Sequence, residues 1–327
     1  MTPIAPLHGT SCRDWRLAAA GDIVPLIDAE VRAWRHTLSW DIAEPWRVID
    51  PARQAGRLPG LIAIGDDGRP AGWTAFLPHE GFLQVMALAG RDEAAITTLV
   101  DGILDSAEAR TCDATVVCVR EDNPILRTVL TGRGFAVEPY RYLMRDLTTW
   151  SAGDVQGRTA TTAAIVPGRW RDHDAAMAAL CARAYRGDAT TIRGFAPGGT
   201  SAEWRHYVST LVQGTGCGWF LPELSFVMPR ESEASGAATP PASAPLLDAC
   251  LMLTDLGTGV AHIAQLAVDP AARGQGRARL LVQTALTEAS CLHTGMSLLV
   301  ASSNTVAATL YESLGFRDHA SFIVARA

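Results

Sequence analysis

The sequence predicts an α/β fold built twice along one chain, and three observations carry that expectation. Apolar residues alternate between helical spacing and short β-branched runs. A motif recurs at an offset of 181 residues, and a glycine-bearing loop joins a strand to a helix near residue 275. A chain of 327 residues with 48% hydrophobic composition is long enough to bury two cores.

The elements follow in order. Segments around Trp46 and Trp204 each read as a short helix leading into strands: GLIAIG and AGWTAFL in the first half, GWFLPELSFVMP and DACLMLTD in the second. The β-branched runs TVVCV at 115–119 and SLLVA at 297–301 read as buried strands. After each comes the repeat. Asn123 precedes Gly134 and Phe135 as Asn304 precedes Gly315 and Phe316, in NPILRTVLTGRGF and NTVAATLYESLGF. Each half therefore reads helix, helix, strands, helix, strand, helix, strand, one layered unit made twice. The polar stretch 146–162 sets the expected division into 1–150 and 151–327. Residues 229–247, PRESEASGAATPPASAPLL, have the composition of a mobile insertion between two strands.

Composition narrows the partners. Net charge is −6, all 28 basic residues are Arg, and none cluster into a stripe, so nucleic acid is not an expected partner. Seven cysteines, Cys12, Cys112, Cys118, Cys181, Cys217, Cys250 and Cys291, lie far apart with no CxxC, which fits a reducing cytoplasm without a metal site. No apolar run approaches the ~18 residues of a bilayer span, and MTPIAPLHGTSCRDWR lacks a signal-peptide core, so no membrane partner is expected.

The segment VAHIAQLAVDPAARGQGRARLLVQTALTEA is strand, break, then amphipathic helix. Its R-G-Q-G-R-A junction, Arg273, Gly274, Gln275, Gly276, Arg277 and Ala278, lets the backbone approach a ligand and points free N–H groups outward from the positive end of a helix. That geometry suits a pyrophosphate, with charge added by Arg273 and Arg277. The junction has neither the GK[ST] of a Walker A loop nor the third glycine of a dinucleotide fingerprint.

The string V-D-P-x-x-R-G-x-G-x-A, followed by N-x-x-A-A-x-x-L-Y-E-x-L-G-F, resembles the two signature motifs of the GNAT (GCN5-related N-acetyltransferase) superfamily. The resemblance covers the second half and, structurally, the first. It implies two tandem GNAT folds, each a mixed, mostly antiparallel splayed sheet flanked by helices, and acetyl-CoA or another acyl-CoA as cofactor. It also implies that main-chain groups of Leu266, Ala267 and Val268 hold the acyl carbonyl and pantetheine, and that Asn304 bonds the cofactor arm. Tyr311 matches the tyrosine that protonates the CoA sulfur. Asn304 suits a helix N-cap equally well, and Tyr311 suits an aromatic packed on an amphipathic helix. His262 stands where some members carry a glutamate base; a lone His in a strand is also a common packed residue. Glu223 and Asp255 are further candidates, as bases or as ligands of a cationic acceptor. The segment 187–200 is expected to form the acceptor pocket.

At the same offset the first half has Leu130 for Tyr311, Gly81 for His262, and ALAGRDEAAI for the loop. It is expected to keep the fold and to have lost the cofactor. Trp34, Trp40, Trp46 and Trp73 there serve core packing or shape the acceptor site. The activity expected is N-acyltransfer to a small-molecule amine. Acyl transfer to a carrier protein, malonyl-CoA decarboxylation and non-catalytic acyl-CoA binding stay open, because one fold hosts many reactions.

Overall fold

The structure is a computed structural model and describes residues 10–79, 81–121, 124–151, 166–167, 170–186, 199–213, 217–230 and 246–327. Most of the expected insertion at 229–247, the linker beyond 151, Asn123 and nearly all of the acceptor segment 187–200 lie outside the described residues.

In chain order the first elements are β1 (Ser11–Asp14), α1 (Ala20–Leu38), α2 (Ala43–Gln54), β2 (Gly60–Ile64), β3 (Pro70–His79), β4 (Phe82–Gly90), α3 (Glu93–Leu104), β5 (Ala114–Arg120), α4 (Pro124–Gly132) and β6 (Ala136–Asp146). Then follow β7 (Val166–Pro167), α5 (Trp170–Ala184), α6 (Ser201–Val212), β8 (Trp219–Phe220), β9 (Phe226–Pro229), β10 (Leu247–Asp255), β11 (Val260–Val268), α7 (Arg277–Ala289), β12 (Gly295–Ala301), α8 (Thr305–Ser313) and β13 (Arg317–Arg326). The two-unit expectation meets a compact division of a different outline. One unit runs to Leu38, resumes over Ile42–Tyr140 and takes in Ala320–Ala327; the other holds Ser39–Asp41 and Arg141–His319.

The first unit orders its strands β1, β2, β3, β4, β5, β13. The outermost of these comes from the far end of the sequence: Phe322 to Arg326 pair antiparallel with Arg120 to Val116. The second unit orders its strands β6, β12, β11, β10, β9, β7, taking β6 from Arg141 onward. This outline differs from the expected division near 150: it turns over inside β6, and β13 from Ala320 onward goes with the first unit, because pattern identifies a strand but not the edge it pairs with.

Packing in the second unit follows from strand alternation. Along β10, Ala249, Leu251 and Leu253 face Leu281, Val282 and Ala285 of α7, while Cys250 and Met252 face Trp204, Val208 and Leu211 of α6. In the first unit, α3 and α4 cover one face of the sheet through Leu99, Ile103 and Leu130. Trp15, Trp46 and Trp73 cover the other as a cluster, with Trp15 stacked on Trp73 at 5.8 Å and donating to the Leu58 carbonyl at 2.9 Å. Trp46 and Trp73 are thus core residues.

The Gly-Phe pair of the repeat is a helix stop. Gly134 and Gly315 both have φ of 85°, and the N–H groups of Phe135 and Phe316 donate to the carbonyls of Leu130 and Tyr311 five residues back.

Candidate functional site

A splayed strand pair opens the second unit. β11 pairs in parallel with β12 from Val260 opposite Gly295 to Ile263 opposite Leu298, and there the pairing ends, although the strands continue to Val268 and Ala301. A bulge sits at the same point. Met252 faces Gln265 and Leu253 faces Ile263, so Ala264 is the extra residue. Beyond it, β11 keeps β10 on one side and has a free main-chain edge on the other. The Leu266 carbonyl lies on that free edge, where it accepts from Tyr185 Oη at 3.5 Å and Gln265 Nε2 at 3.3 Å. Main-chain N–H and C=O of one residue share a side in an antiparallel pair, so the Leu266 N–H also faces the opening, as do the groups of Val268 two residues on.

The R-G-Q-G-R-A loop ends this edge and starts α7. Gly274 and Gly276 have φ of 74° and 77°, left-handed values that side chains disfavour, and Gly276 is the N-cap. Among the described residues, the N–H groups from Gly274 to Arg279 find no protein acceptor. Such a row at a helix N-terminus is an anion site.

The arginines of the loop are placed otherwise than expected. Arg277 Nη2 pairs with Asp248 at 3.1 Å, and the Arg273 guanidinium donates to the Ala184 carbonyl. Asp248 also takes Arg230 at 2.7 Å, and Asp269 takes Arg183 at 2.8 Å and Arg230 at 2.9 Å. Burial works to raise the Asp269 carboxyl, but hydrogen bonds from Arg183 and the Ala271 N–H, with the charges of Arg230 and Arg183, hold it below the usual range. Three guanidinium groups against two carboxylates leave one net positive charge in this cluster, to which Arg273 adds its own.

Tyr311 is buried on α8 at 6% exposure, edge-on to Phe316 at 5.7 Å. Burial, and then the neighbouring Tyr185, raise its pKa, so the phenol keeps its proton. Asn304 caps α8, accepting from the Ala307 N–H at 3.1 Å. Tyr185 and Gln265, which motif matching passed over, meet at the free edge with Gln265 Nε2 2.8 Å from Tyr185 Oη. No sequence pattern marks Tyr185, because it is the fold that brings the end of α5 to β11.

Residues 246–318 match the family model described as acetyltransferase (GNAT) domain. This part of the second unit is a GNAT domain. The family transfers acyl groups from acyl-CoA, and the chain is accordingly an acyltransferase. Solved structures extend the likeness in fold across both units. A GCN5-related N-acetyltransferase from Sphaerobacter thermophilus has TM-score 0.60 at 16% identity, covering 97% of this chain and 95% of that one. A tandem GNAT protein from the clavulanic acid biosynthesis pathway has TM-score 0.54 at 14% identity, covering 83% and 82%. The glucosamine N-acetyltransferase region of a fungal multi-domain β-N-acetylglucosaminidase has TM-score 0.62 at 15% identity; there the match covers 99% of this chain and 38% of that much longer one. A comparison with curated proteins found no match. Both units thus have the GNAT type of sheet, mixed and largely antiparallel, flanked by helices.

Within the GNAT domain, His262 does not suit a base near neutral pH. It is 3% exposed, and burial pushes its pKa down to about 3. Nδ1 lies 2.9 Å from Ser297 Oγ, Tyr142 stacks on the ring at 6.1 Å, and Trp40 packs at 5.5 Å. The imidazole is a neutral packed residue. Glu223 is exposed on a single 3-10 turn, Pro222–Leu224, rather than on the expected strand. Asp255 sits at the opposite end of β10 from the R-G-Q-G-R-A loop, where it accepts from the Gly257 N–H at 2.8 Å and lies 3.9 Å from His293. The structure does not bring these two carboxylates to the loop.

The first unit has the same opening without the loop. β4 and β5 pair from Phe82 opposite Ala114 to Val85 opposite Val117 and then stop, and Met86 is the bulged residue. Ala264 and Met86 lie 178 apart, whereas Gly295 and Ala114 lie 181 apart, so three residues are missing between the strands of the first unit. The position matching His262 is therefore Gln84, not Gly81 as the uniform offset gave. Among the described residues, no helix is long and apolar enough to cross a membrane, and no group of three or more His, Cys, Asp or Glu could hold a metal.

Proposed function

We propose that the chain transfers an acetyl group from acetyl-CoA directly to a small-molecule amine in the cytoplasm, using one cofactor site, in the second unit. The observation that carries this reading is the row of acceptor-free N–H groups from Gly274 to Arg279 at the end of a strand edge left open by the splay. That row, Gln275 and Ala278 included, would hold the pyrophosphate through main-chain donors. The N–H groups of Leu266 and Val268, with Ala267 between them, would hold the pantetheine and polarise the thioester carbonyl. Tyr311, protonated at every working pH, gives the leaving thiolate its proton. Asn304 keeps the capping bond that its Oδ1 accepts, while its Nδ2 amide would donate to the cofactor arm. With His262 packed, the ammonium proton leaves through water. The first unit is a GNAT-like copy without a cofactor. The seven cysteines, none of them in a disulfide, accord with a reducing compartment.

The test is thiol release from purified protein with acetyl-CoA and a panel of primary amines. Release that depends on one amine class, with an acetylated product by mass spectrometry, is expected. Consumption of malonyl-CoA without an amine would move the assignment to decarboxylation. Tight acetyl-CoA binding with no release across the panel would make the domain a binding module.

A further inference from the structure

Once β12 has diverged, the free edge of β11 is held by side chains from the two helices on the opposite face. Tyr207 Oη of α6 donates to the Ala264 carbonyl at 2.9 Å, and Tyr185 Oη, one residue past the end of α5, lies 3.5 Å from the Leu266 carbonyl. The bulge at Ala264 turns Gln265 toward Tyr185. Its Nε2 donates to Tyr185 Oη at 2.8 Å and approaches the Leu266 carbonyl at 3.3 Å. Gln265 is 4% exposed, so these bonds satisfy an amide that burial would otherwise penalise. The Tyr185 ring is itself fixed, stacked at 4.9 Å and 19° on the fully buried Trp204. Packing uses only the ring, whereas the hydroxyl serves the strand edge.

We infer that Tyr185 and Gln265 form a positioning pair, acting through the Leu266 peptide to set the strand edge that receives the acyl carbonyl, and so favour acyl-CoA over free CoA. This rests on the cofactor placement proposed above. Neither residue touches the reacting atoms in this account. Each fixes the peptide plane between Leu266 and Ala267, beside the N–H that faces the thioester. Free CoA, which has no acyl carbonyl, does not sense that plane and draws its affinity from the N–H row at α7.

The experiment is calorimetric titration of acetyl-CoA and of CoA into the full chain and into Tyr185→Phe, Gln265→Leu and the double variant. The ratio of the two dissociation constants is expected to shift about three- to tenfold against acetyl-CoA in each single variant, the effect of losing one hydrogen bond. The constant for CoA should stay within about twofold, and the double variant should match the singles because the two side chains act as one unit. A merely structural role lowers thermal stability and moves both constants together, which overturns the inference, as does an unchanged ratio. If the wild-type chain binds neither acetyl-CoA nor CoA, the cofactor placement itself fails, an outcome distinct from an unchanged ratio in a chain that binds both.

Discussion

Helices α3 and α7 occupy the same place in two copies of one fold, and their N-termini are built in opposite ways. Eight residues, 269–276, lead from β11 into α7, against two, 91–92, from β4 into α3. At α7 the N-cap is Gly276 in a left-handed conformation, and the N–H groups stay open. At α3 the N-cap is Asp92, whose carboxylate accepts from the Ala95 N–H at 2.9 Å. That bond is the main cause of its lowered pKa, so the charge persists at neutral pH. The first unit thus fills its own anion site with an anion. The splay and the bulge are common to both units, which teaches that the open strand pair is a property of the fold and that, with the cofactor placed as proposed, the helix start decides which unit binds it.

The most direct way to break the comparison is to move the carboxylate. Gly276→Asp puts the first unit's cap on α7, and Asp tolerates the left-handed conformation better than most residues. A carboxylate a few ångström from a pyrophosphate costs about 4 kcal/mol at a surface-like dielectric. Affinity for CoA is therefore expected to fall at least about 100-fold by calorimetry. A change of less than about threefold would remove the pyrophosphate from this loop.

The helices that follow differ as sharply. Tyr311 and Leu130 share the carbonyl that takes the Gly-Phe N–H, and only the tyrosine carries a proton to give. Tyr311→Phe is expected to slow thiol release about 100-fold with the best amine of the panel, the scale of one general acid. Acetyl-CoA affinity should stay within about threefold. Unchanged turnover would leave Tyr311 as the packed aromatic that its contact with Phe316 also describes.

How far the sequence could be read differs by element. The Asn-to-Gly-Phe repeat was legible because a helix stop needs a left-handed glycine at a set distance, whatever the helix does. The R-G-Q-G-R-A loop was legible for the same kind of reason. What could not be read was partnership across the chain. Arg277 looks like a phosphate ligand until Asp248 is seen beside it, and nothing in the order of residues pairs positions 277 and 248. His262 occupies the position of a base, but its burial by Trp40 and Tyr142 comes from segments more than a hundred residues away. The strand exchange escaped in the same way: β6 and β13 have unmistakable strand character and no signature of destination.

His262 and Gln84 sharpen that point through pH. The folded pKa of His262, about 3, lies below its ordinary 6.5. Between those values the unfolded chain holds a proton that the folded chain does not, so stability is lost as pH falls through the window. From pH 7 to pH 5 the expected loss is about 2 kcal/mol, at about 1.4 kcal/mol per unit below the ordinary pKa. His262→Gln gives the second unit the non-titrating residue that the first unit has, and its urea stability should be nearly flat over that range. An equal slope in both proteins would show that the imidazole is more accessible than its contacts imply.

The smallest effect tests the first unit directly. Asp92→Ala removes an N-cap and should cost about 1 kcal/mol of stability in urea unfolding. It also clears the carboxylate from the start of α3, so calorimetry with CoA asks whether that charge alone closes the site. One CoA per chain is still expected. The two-residue connection includes no glycine with positive φ, and the N–H of Arg91 is already given to the Ala71 carbonyl. The added Cβ of any residue at Gly90 would meet Ile96 at 2.7 Å, so helix and strand are already in close contact at this corner. A second equivalent of CoA in Asp92→Ala would mean that loop length matters less than charge, and that the first unit stands one substitution from binding.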